Sequence, residues 1–137
     1  SVVCIMADCG YSSAREIIKK VIGEMKLPVA LFYPLVRLAG KIFGGFDIEE
    51  AEPIDAIKRC KLPVVFLHGD NDAFVPHTMS EAMYAVCQSQ KKIKLISGAG
   101  HGLAYPADPD GYVGALADFE RECGGFSISV ENAAEVQ

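Results

Sequence analysis

A chain of 137 residues with a formal net charge of −5 is long enough to form one domain with a sizeable buried core. Half of its residues are hydrophobic and 23% are charged, a composition that is typical of globular proteins and excludes a disordered chain. The acidic balance and the scattered Lys and Arg residues argue against a nucleic-acid partner, because phosphate binding relies on clustered basic residues.

The cysteines and the apolar runs bear on the compartment. Five cysteines, an odd number without a C-x-x-C pair, predict neither a zinc site nor a complete disulfide framework, and we expect a cytoplasmic protein. The chain opens on an apolar run without a basic leader, which favours a strand over a signal peptide. The longest uncharged apolar stretch, residues 27–36, is far shorter than the ~20 residues that a membrane span needs, so no span is predicted.

Three apolar runs predict buried parallel strands. They are residues 2–7 (VVCIMA), 63–67 (PVVFL) and 93–97 (IKLIS). Continuous runs of branched residues are typical of parallel strands that are covered on both faces. Helical patterns lie between the runs, so the sequence predicts an α/β fold with a three-layer, parallel sheet and helices on both faces.

Capping signals predict where three helices begin. Ser13 and Glu16 have the spacing of a capping box, and so do Thr78 and Glu81. Asp108 is predicted to cap a third helix, which has Pro109 at its first position. The residues expected on the inner faces of the three helices are Ile17, Ile18, Val21, Ile22 and Met25; then Met79, Met83, Val86 and Cys87; then Val113, Leu116 and Phe119.

The connection between the first two predicted strands is unusually long. It runs from residue 8 to residue 62, whereas a simple crossover needs about a dozen residues. Residues 28–58 therefore form a helical insertion, either lid-like helices over the site or a plain surface helix pair. We assign residues 1–125 to one domain and residues 126–137 to a tail that is a short strand or disordered.

Charged residues follow the second and third strands. Asp72 lies in HGDNDAFVP after the second strand, and His101 lies between two glycines in GAGHG after the third. Because the carboxyl ends of parallel strands meet at one edge of the sheet, an acid and a histidine placed in this way can meet there. An acid that orients a histidine makes up two-thirds of a nucleophilic triad.

The stretch LPVVFLHGDNDAFVP, followed after the next strand by GAGHG, resembles the last third of the α/β-hydrolase fold, in its esterase, lipase and serine-aminopeptidase-like branch. The three strands then resemble strands 6, 7 and 8 of that fold. The resemblance implies that Asp72 is the catalytic acid and His101 the catalytic histidine. It also implies a serine hydrolase that acts on ester, thioester or peptide bonds and needs no cofactor.

The nucleophile of that family is missing from the sequence. Residues 1–71 contain no G-x-S-x-G elbow, and no oxyanion-hole segment is recognised. The resemblance thus implies the C-terminal part of a hydrolase that is inactive alone, and whether the chain is an enzyme stays open. The alternative is a non-catalytic α/β module that binds a ligand or partner. The missing neighbouring strand would leave residues 2–7 at an open edge, which predicts a homodimer or a larger homo-oligomer.

Four other residues have simpler explanations. His68 is interpreted as a structural hydrogen-bonding residue, His77 as an exposed residue and Cys9 as a half-buried, inert thiol. His68, Asp70, Asp72 and His77 together could suggest a metal site. That reading is disfavoured because the sequence has neither an i,i+4 histidine pair nor a calcium loop. The predicted site therefore consists of Asp72 and His101, without a metal.

Overall fold

The computed structural model describes residues 2–50 and 52–124. Within these residues, three parallel strands form one sheet, in the order β1, β2, β3. The strands are β1 (Ile5–Asp8), β2 (Val64–Gly69) and β3 (Lys91–Ile96). Since all three run in the same direction, their carboxyl ends lie at one edge of the sheet. The predicted parallel α/β architecture is confirmed.

Helices cover both faces of the sheet. They are α1 (Ala14–Glu24), α2 (Val29–Ala39), α3 (Pro53–Arg59), α4 (Thr78–Val86), α5 (Ala104–Ala107) and α6 (Pro109–Glu122). A π-helical turn, Gly40–Gly44, continues α2, and a 3-10 turn, Ile48–Glu50, precedes α3. The insertion between the first two strands is therefore helical, as predicted.

The central strand β2 divides the core into two layers. All six of its residues are buried, because helices cover it on both faces and a strand lies on each side. Val65 and Leu67 pack towards α5 and α6, whereas Val64 and Phe66 pack towards α3 and α4. The strand includes His68 and Gly69, two residues beyond the predicted end, and so extends the buried layer to the edge that carries the site.

The prediction for the first strand is wrong in its extent and its burial. β1 begins at Ile5 rather than at residue 2, and Met6 is 53% exposed. Among the described residues, β1 pairs with β2 alone, so it is an edge strand. Ile5 and Ala7 contact the core, while Met6 lies on the opposite face, where the covering is incomplete.

The third strand also differs from its predicted range. It begins two residues earlier, at Lys91, and ends at Ile96. Lys91 and Lys92 lie outside the predicted strand because charged side chains are atypical of a core strand. At this position in the sheet their ammonium groups reach polar partners: Lys91 Nζ donates to the carbonyl oxygen of Tyr84 at 2.7 Å, and Lys92 Nζ donates to Glu122 Oε1 at 2.7 Å.

Two of the three predicted caps are confirmed. Ser13 Oγ accepts the backbone N–H of Glu16 at 3.2 Å, and Asp108 Oδ1 accepts that of Gly111 at 2.9 Å. The capping box at Thr78 is wrong: Thr78 is already helical, and His77 precedes α4 without a side-chain cap. The reason is that His77 has helical dihedral angles, φ −56° and ψ −25°, so the helix starts one residue earlier than a Thr78 cap would allow.

Two residues assigned to inner helix faces are exposed instead. Met25 directly follows α1 and has 63% of its surface exposed, and Val113 on α6 is 37% exposed. Tyr112 takes the inward position on α6 that was predicted for Val113. Its ring packs in the core while its hydroxyl reaches Asp8 Oδ2 at 2.8 Å, a contact that a valine cannot make.

An ion cluster holds the insertion together. The Asp47 carboxylate accepts two hydrogen bonds from Arg37, both at 2.7 Å, and lies 2.7 Å from Lys41 Nζ. Arg37 also pairs with Glu49 at 2.7 Å. Two cations thus balance two carboxylates, and α2 is fixed to the chain that leads into α3.

Among the described residues, no single helix is long and apolar enough to cross a bilayer; Val29–Gly44 and Ile48–Arg59 reach that length and composition together, with a 93° bend between them. Residues 126–137, for which a short strand or a disordered tail is predicted, lie outside the described residues.

Candidate active site

The loop after β2 fixes the carboxylate of Asp72. Asp72 is only 6% exposed, and its Oδ1 atom accepts the backbone N–H groups of Phe74 and Val75, each at 2.9 Å. An aspartate that bonds to the backbone two and three residues ahead of it forms a tight local turn. The turn leaves Oδ2 directed at the neighbouring loop.

His101 lies in that neighbouring loop, after β3. Its Nδ1 atom is 2.8 Å from Asp72 Oδ2, and its side chain is 43% exposed. An ionised carboxylate can only accept, so Nδ1 carries the proton that is shared with Asp72, and the lone pair of a neutral ring is then on Nε2. The predicted proximity of Asp72 and His101 is confirmed. Their catalytic roles stay a prediction.

Two glycines allow these loops to approach one another. A β-carbon on Gly69 would overlap the carbonyl group of Ala99, so only glycine fits where β2 leaves the sheet. The close approach lets the backbone N–H of Asn71 donate to the carbonyl oxygen of Ala99 at 3.1 Å. Gly102 has a φ of +69°, which turns the chain directly after His101.

The electrostatics favour an ionised Asp72. Burial by itself raises the pKa of this carboxyl, but the hydrogen bond from His101 and the backbone N–H groups of Val75 and Phe74 outweigh it and keep the pKa below its ordinary value. An ionised acid beside Nδ1 orients the His101 ring and keeps its proton on that nitrogen.

His68 has the structural role predicted for it. Its ring is fully buried, with Nε2 at 3.1 Å from Asp72 Oδ2 and at 2.9 Å from the carbonyl oxygen of Val75. On the other side of the ring, Nδ1 is 2.7 Å from Ser80 Oγ. Ser80 was missed in the sequence. The sequence does contain a signal for a buried polar contact at this position, because Ser80 is a polar residue on the same helical face as the apolar Met83 and Cys87.

Phe74 and Lys20 flank the exposed side of the site. The Phe74 ring meets the His101 ring edge to face, with centroids 5.1 Å apart. Lys20 on α1 donates to the carbonyl oxygen of Ala73 at 2.7 Å and lies 5.9 Å from the centroid of Phe74. The first helix therefore supports the loop that holds the acid.

The end of β1 reaches the same site. Cys9 has a φ of +50°, unusual for a residue with a side chain, and its Sγ atom accepts the backbone N–H of Gly102 at 3.4 Å. Burial raises the pKa of the Cys9 thiol, and the nearby Asp8 adds to this effect. A raised pKa disfavours the reactive thiolate, in keeping with the inert thiol predicted for this position.

The structure brings donor atoms of Cys9, His68 and Asp72 within 4.8 Å of one another. Each of these atoms already takes part in a hydrogen bond described above. Asp70 and His77 are the other two residues of the disfavoured metal-site hypothesis, and they have different contacts. Asp70 Oδ1 accepts the backbone N–H of Gly98 at 2.6 Å, and His77 Nε2 lies 3.9 Å from Glu81 Oε2. Asp70 and His77 therefore lie outside this group of donor atoms.

The insertion presents apolar side chains to solvent. Leu31, Leu35, Leu38 and Ile42 follow one another at spacings of four, three and four, which places them on one face of α2 and its π-helical continuation, and each is at least half exposed. Phe43 is 87% exposed. We refer to these five residues as the apolar stripe.

Comparisons with known proteins bear on the fold of this chain. The family model described as serine aminopeptidase, S33, matches residues 51–108, the segment that contains both Asp72 and His101. An uncharacterised protein of Bacillus subtilis (strain 168), YqkD, is 24% identical over 115 residues, which are 83% of this chain and 38% of that protein. This chain thus spans well under half the length of that relative.

Solved structures share the fold at low sequence identity. A puromycin-hydrolyzing peptidase of Mycobacterium tuberculosis gives a TM-score of 0.59 at 21% identity, over 90% of this chain and 19% of its own. Acetyl xylan esterase 1 of a Thermoanaerobacterium species has a TM-score of 0.57 at 17% identity, and the match covers 89% of this chain and 38% of the esterase chain. An alpha/beta hydrolase from the sediment metagenome of the Mar Chica lagoon, Morocco, has a TM-score of 0.55 at 16% identity, and the match covers 88% of this chain and 51% of that chain. The chain therefore has the α/β-hydrolase fold over the part of it that it spans, as the sequence predicts.

Proposed function

We propose that this chain supplies the acid and the histidine of a serine hydrolase that acts on ester, thioester or peptide bonds. The observation that carries the proposal is the 2.8 Å contact between Asp72 Oδ2 and His101 Nδ1, which leaves Nε2 of a half-exposed ring free to take a proton. The serine would come from a segment outside residues 1–137, because residues 1–71 contain no G-x-S-x-G elbow.

In this mechanism His101 acts as a general base and then as a general acid. Nε2 takes the hydroxyl proton as the serine oxygen attacks the substrate carbonyl, and it returns that proton to the leaving group as the acyl bond breaks. A water molecule then repeats the sequence and releases the acid product. Asp72 stays ionised throughout and stabilises the imidazolium form of His101.

We assign the apolar part of the substrate to the insertion. The apolar stripe is adjacent to a groove of about 460 Å³ that is lined by Tyr33, Pro34, Arg37, Leu38 and Lys41. Arg37 and Lys41 are balanced by the carboxylates of Asp47 and Glu49, so the groove offers apolar contacts without a strong electric field. This composition suits a hydrophobic acyl or side-chain group.

The compartment and the assembly are also proposals. All five cysteines are free thiols, which is compatible with the cytoplasm. β1 pairs on one side alone among the described residues, so a second copy of the chain could pair with its other side.

The reading frame upstream of codon 1 is the first test. An in-frame G-x-S-x-G segment supports the proposal, and an intact gene without one contradicts it. The chain of 137 residues by itself should hydrolyse short acyl esters no faster than background, since removing a triad nucleophile leaves only positioning. Turnover by the pure chain that is lost in His101→Ala would reveal a nucleophile within these residues.

A further inference from the structure

A hydrogen-bonded path links α4 to the ends of β2 and β3. It runs from Ser80 Oγ to His68 Nδ1 at 2.7 Å and from His68 Nε2 to Asp72 Oδ2 at 3.1 Å. The 2.8 Å contact with His101 completes the path. His68 lies in β2 and His101 follows β3, so the path connects the acid to two of the three strands.

The contacts fix which nitrogen of His68 carries a proton. Nε2 faces the carbonyl oxygen of Val75 at 2.9 Å and the carboxylate of Asp72, and both groups accept. Nε2 must therefore be the donor. In the neutral ring, Nδ1 is then a bare acceptor, and the hydroxyl of Ser80 donates to it at 2.7 Å. Because the hydroxyl has one proton, the longer 3.3 Å contact of Ser80 Oγ with the carbonyl oxygen of Gly10 is then a polar contact and not a hydrogen bond.

As a result, the two oxygen atoms of Asp72 together receive four donors. Oδ1 accepts from the backbone N–H groups of Phe74 and Val75, and Oδ2 accepts from His68 and His101. A carboxylate held in this way cannot rotate. The two histidines also share one oxygen, so each weakens the hydrogen bond that the other can make with it.

We propose that His68 is a positioning residue that acts through Asp72 on His101. Its Nε2–H holds Oδ2 in line with His101 and limits the strength of the Asp72–His101 hydrogen bond, while Ser80 holds the ring of His68. This inference rests on the proposed function for its catalytic meaning, although the hydrogen bonds themselves can be tested without any activity.

Nitrogen-15 NMR of the imidazole rings is the direct test, and the chain contains only three histidines to assign. In the unsubstituted chain we expect His68 to carry its proton on Nε2, with Nδ1 bare. In His68→Leu, Asp72 loses one donor to Oδ2, so the Nδ1–H proton of His101 should move further downfield. In His68→Gln, a side-chain N–H can again reach the carboxylate, and the resonance should return towards its original position.

Met83→Ala is the matched control, because it disturbs the buried face of α4 one turn beyond Ser80 and removes no donor from His68 or Asp72. The His101 resonance should stay in place in this variant. A bare Nε2 on His68 overturns the proposal, as does a His101 resonance that is unchanged in His68→Leu or moves equally in Met83→Ala. If His68→Leu fails to fold, the His68 tautomer of the unsubstituted chain decides. None of these results depends on a nucleophile, so a failed hydrolysis assay is distinguishable from a failed positioning role.

Discussion

Gly69 and Ala99 approach each other so closely that a β-carbon on Gly69 would overlap the backbone of Ala99. This approach brings the end of β2 against the loop that follows β3. Asp72 lies three residues beyond Gly69, and His101 lies two residues beyond Ala99. The contact between the acid and the histidine therefore depends on a position where the sheet has no room for a side chain.

Gly69→Ala should lower the free energy of unfolding by about 1–3 kcal/mol, the usual cost of overpacking, because the clash is with backbone atoms that cannot turn away. It should also weaken the Asp72–His101 contact. Gly114→Ala is the matched control, since a β-carbon there meets no atom within 4 Å and removes helix flexibility, which stabilises by about 0.5–1 kcal/mol. Urea unfolding of both variants measures the difference. Equal effects of the two substitutions would contradict the close-approach explanation.

Asp47 should stabilise the insertion in a pH-dependent manner. Hydrogen bonds from Arg37, then from Lys41, hold the pKa of Asp47 well below its usual range. The stabilisation is therefore complete above the ordinary carboxyl pKa of about 4 and is lost as the pH falls through the lower pKa of the folded state. At neutral pH, Asp47→Asn should speed amide hydrogen exchange in residues 29–44.

The matched control is Asp55→Asn. Asp55 pairs with Lys58 at 2.8 Å, and both side chains are about half exposed, so this pair contributes little. Urea unfolding at decreasing pH should show the gap between Asp47→Asn and the unsubstituted chain closing, with no comparable trend for Asp55→Asn. A gap that widens towards acid pH would mean that the charge of Asp47 does not stabilise the fold.

The open edge of β1 predicts self-association of this chain. Met6 is 53% exposed on a strand that has one partner among the described residues, and an unpaired apolar edge recruits other strands. Light scattering should give the mass of a dimer or a larger assembly, and Met6→Lys should shift it towards the monomer. Met25→Lys, at a methionine that is 63% exposed and lies away from the strand, should leave the mass unchanged. A monomer at high concentration before any substitution would disprove the prediction.

The sequence was most informative where one short-range signal decided the structure. The run Val64–Leu67 could only be a buried strand, and Asp108 followed by Pro109 could only begin a helix. The motif around Asp72, with the glycines beside His101, sufficed to predict their contact. In the first two cases the decisive residues are neighbours in the chain, and in the third each loop follows its own parallel strand, so both reach the same edge of the sheet.

Two of the failures have a different cause, namely a partner distant in sequence. Ser80 is part of the site because His68 and Gly10 happen to lie beside it. Tyr112 replaces Val113 on the inner face of α6 because Asp8 accepts its hydroxyl. Helical periodicity gives the direction of a face to within one residue, and a single long-range hydrogen bond is enough to shift it.

The most direct measurement of the central claim is ester hydrolysis by the polypeptide that joins this chain to an upstream G-x-S-x-G segment. If His101 is the base and Asp72 its orienting acid, His101→Ala should lower kcat by a factor on the order of 10⁶, and Asp72→Ala by a factor on the order of 10⁴. His77→Ala, at a partly exposed histidine before α4, should leave kcat unchanged. Turnover that survives His101→Ala, or that falls equally in His77→Ala, would contradict the account.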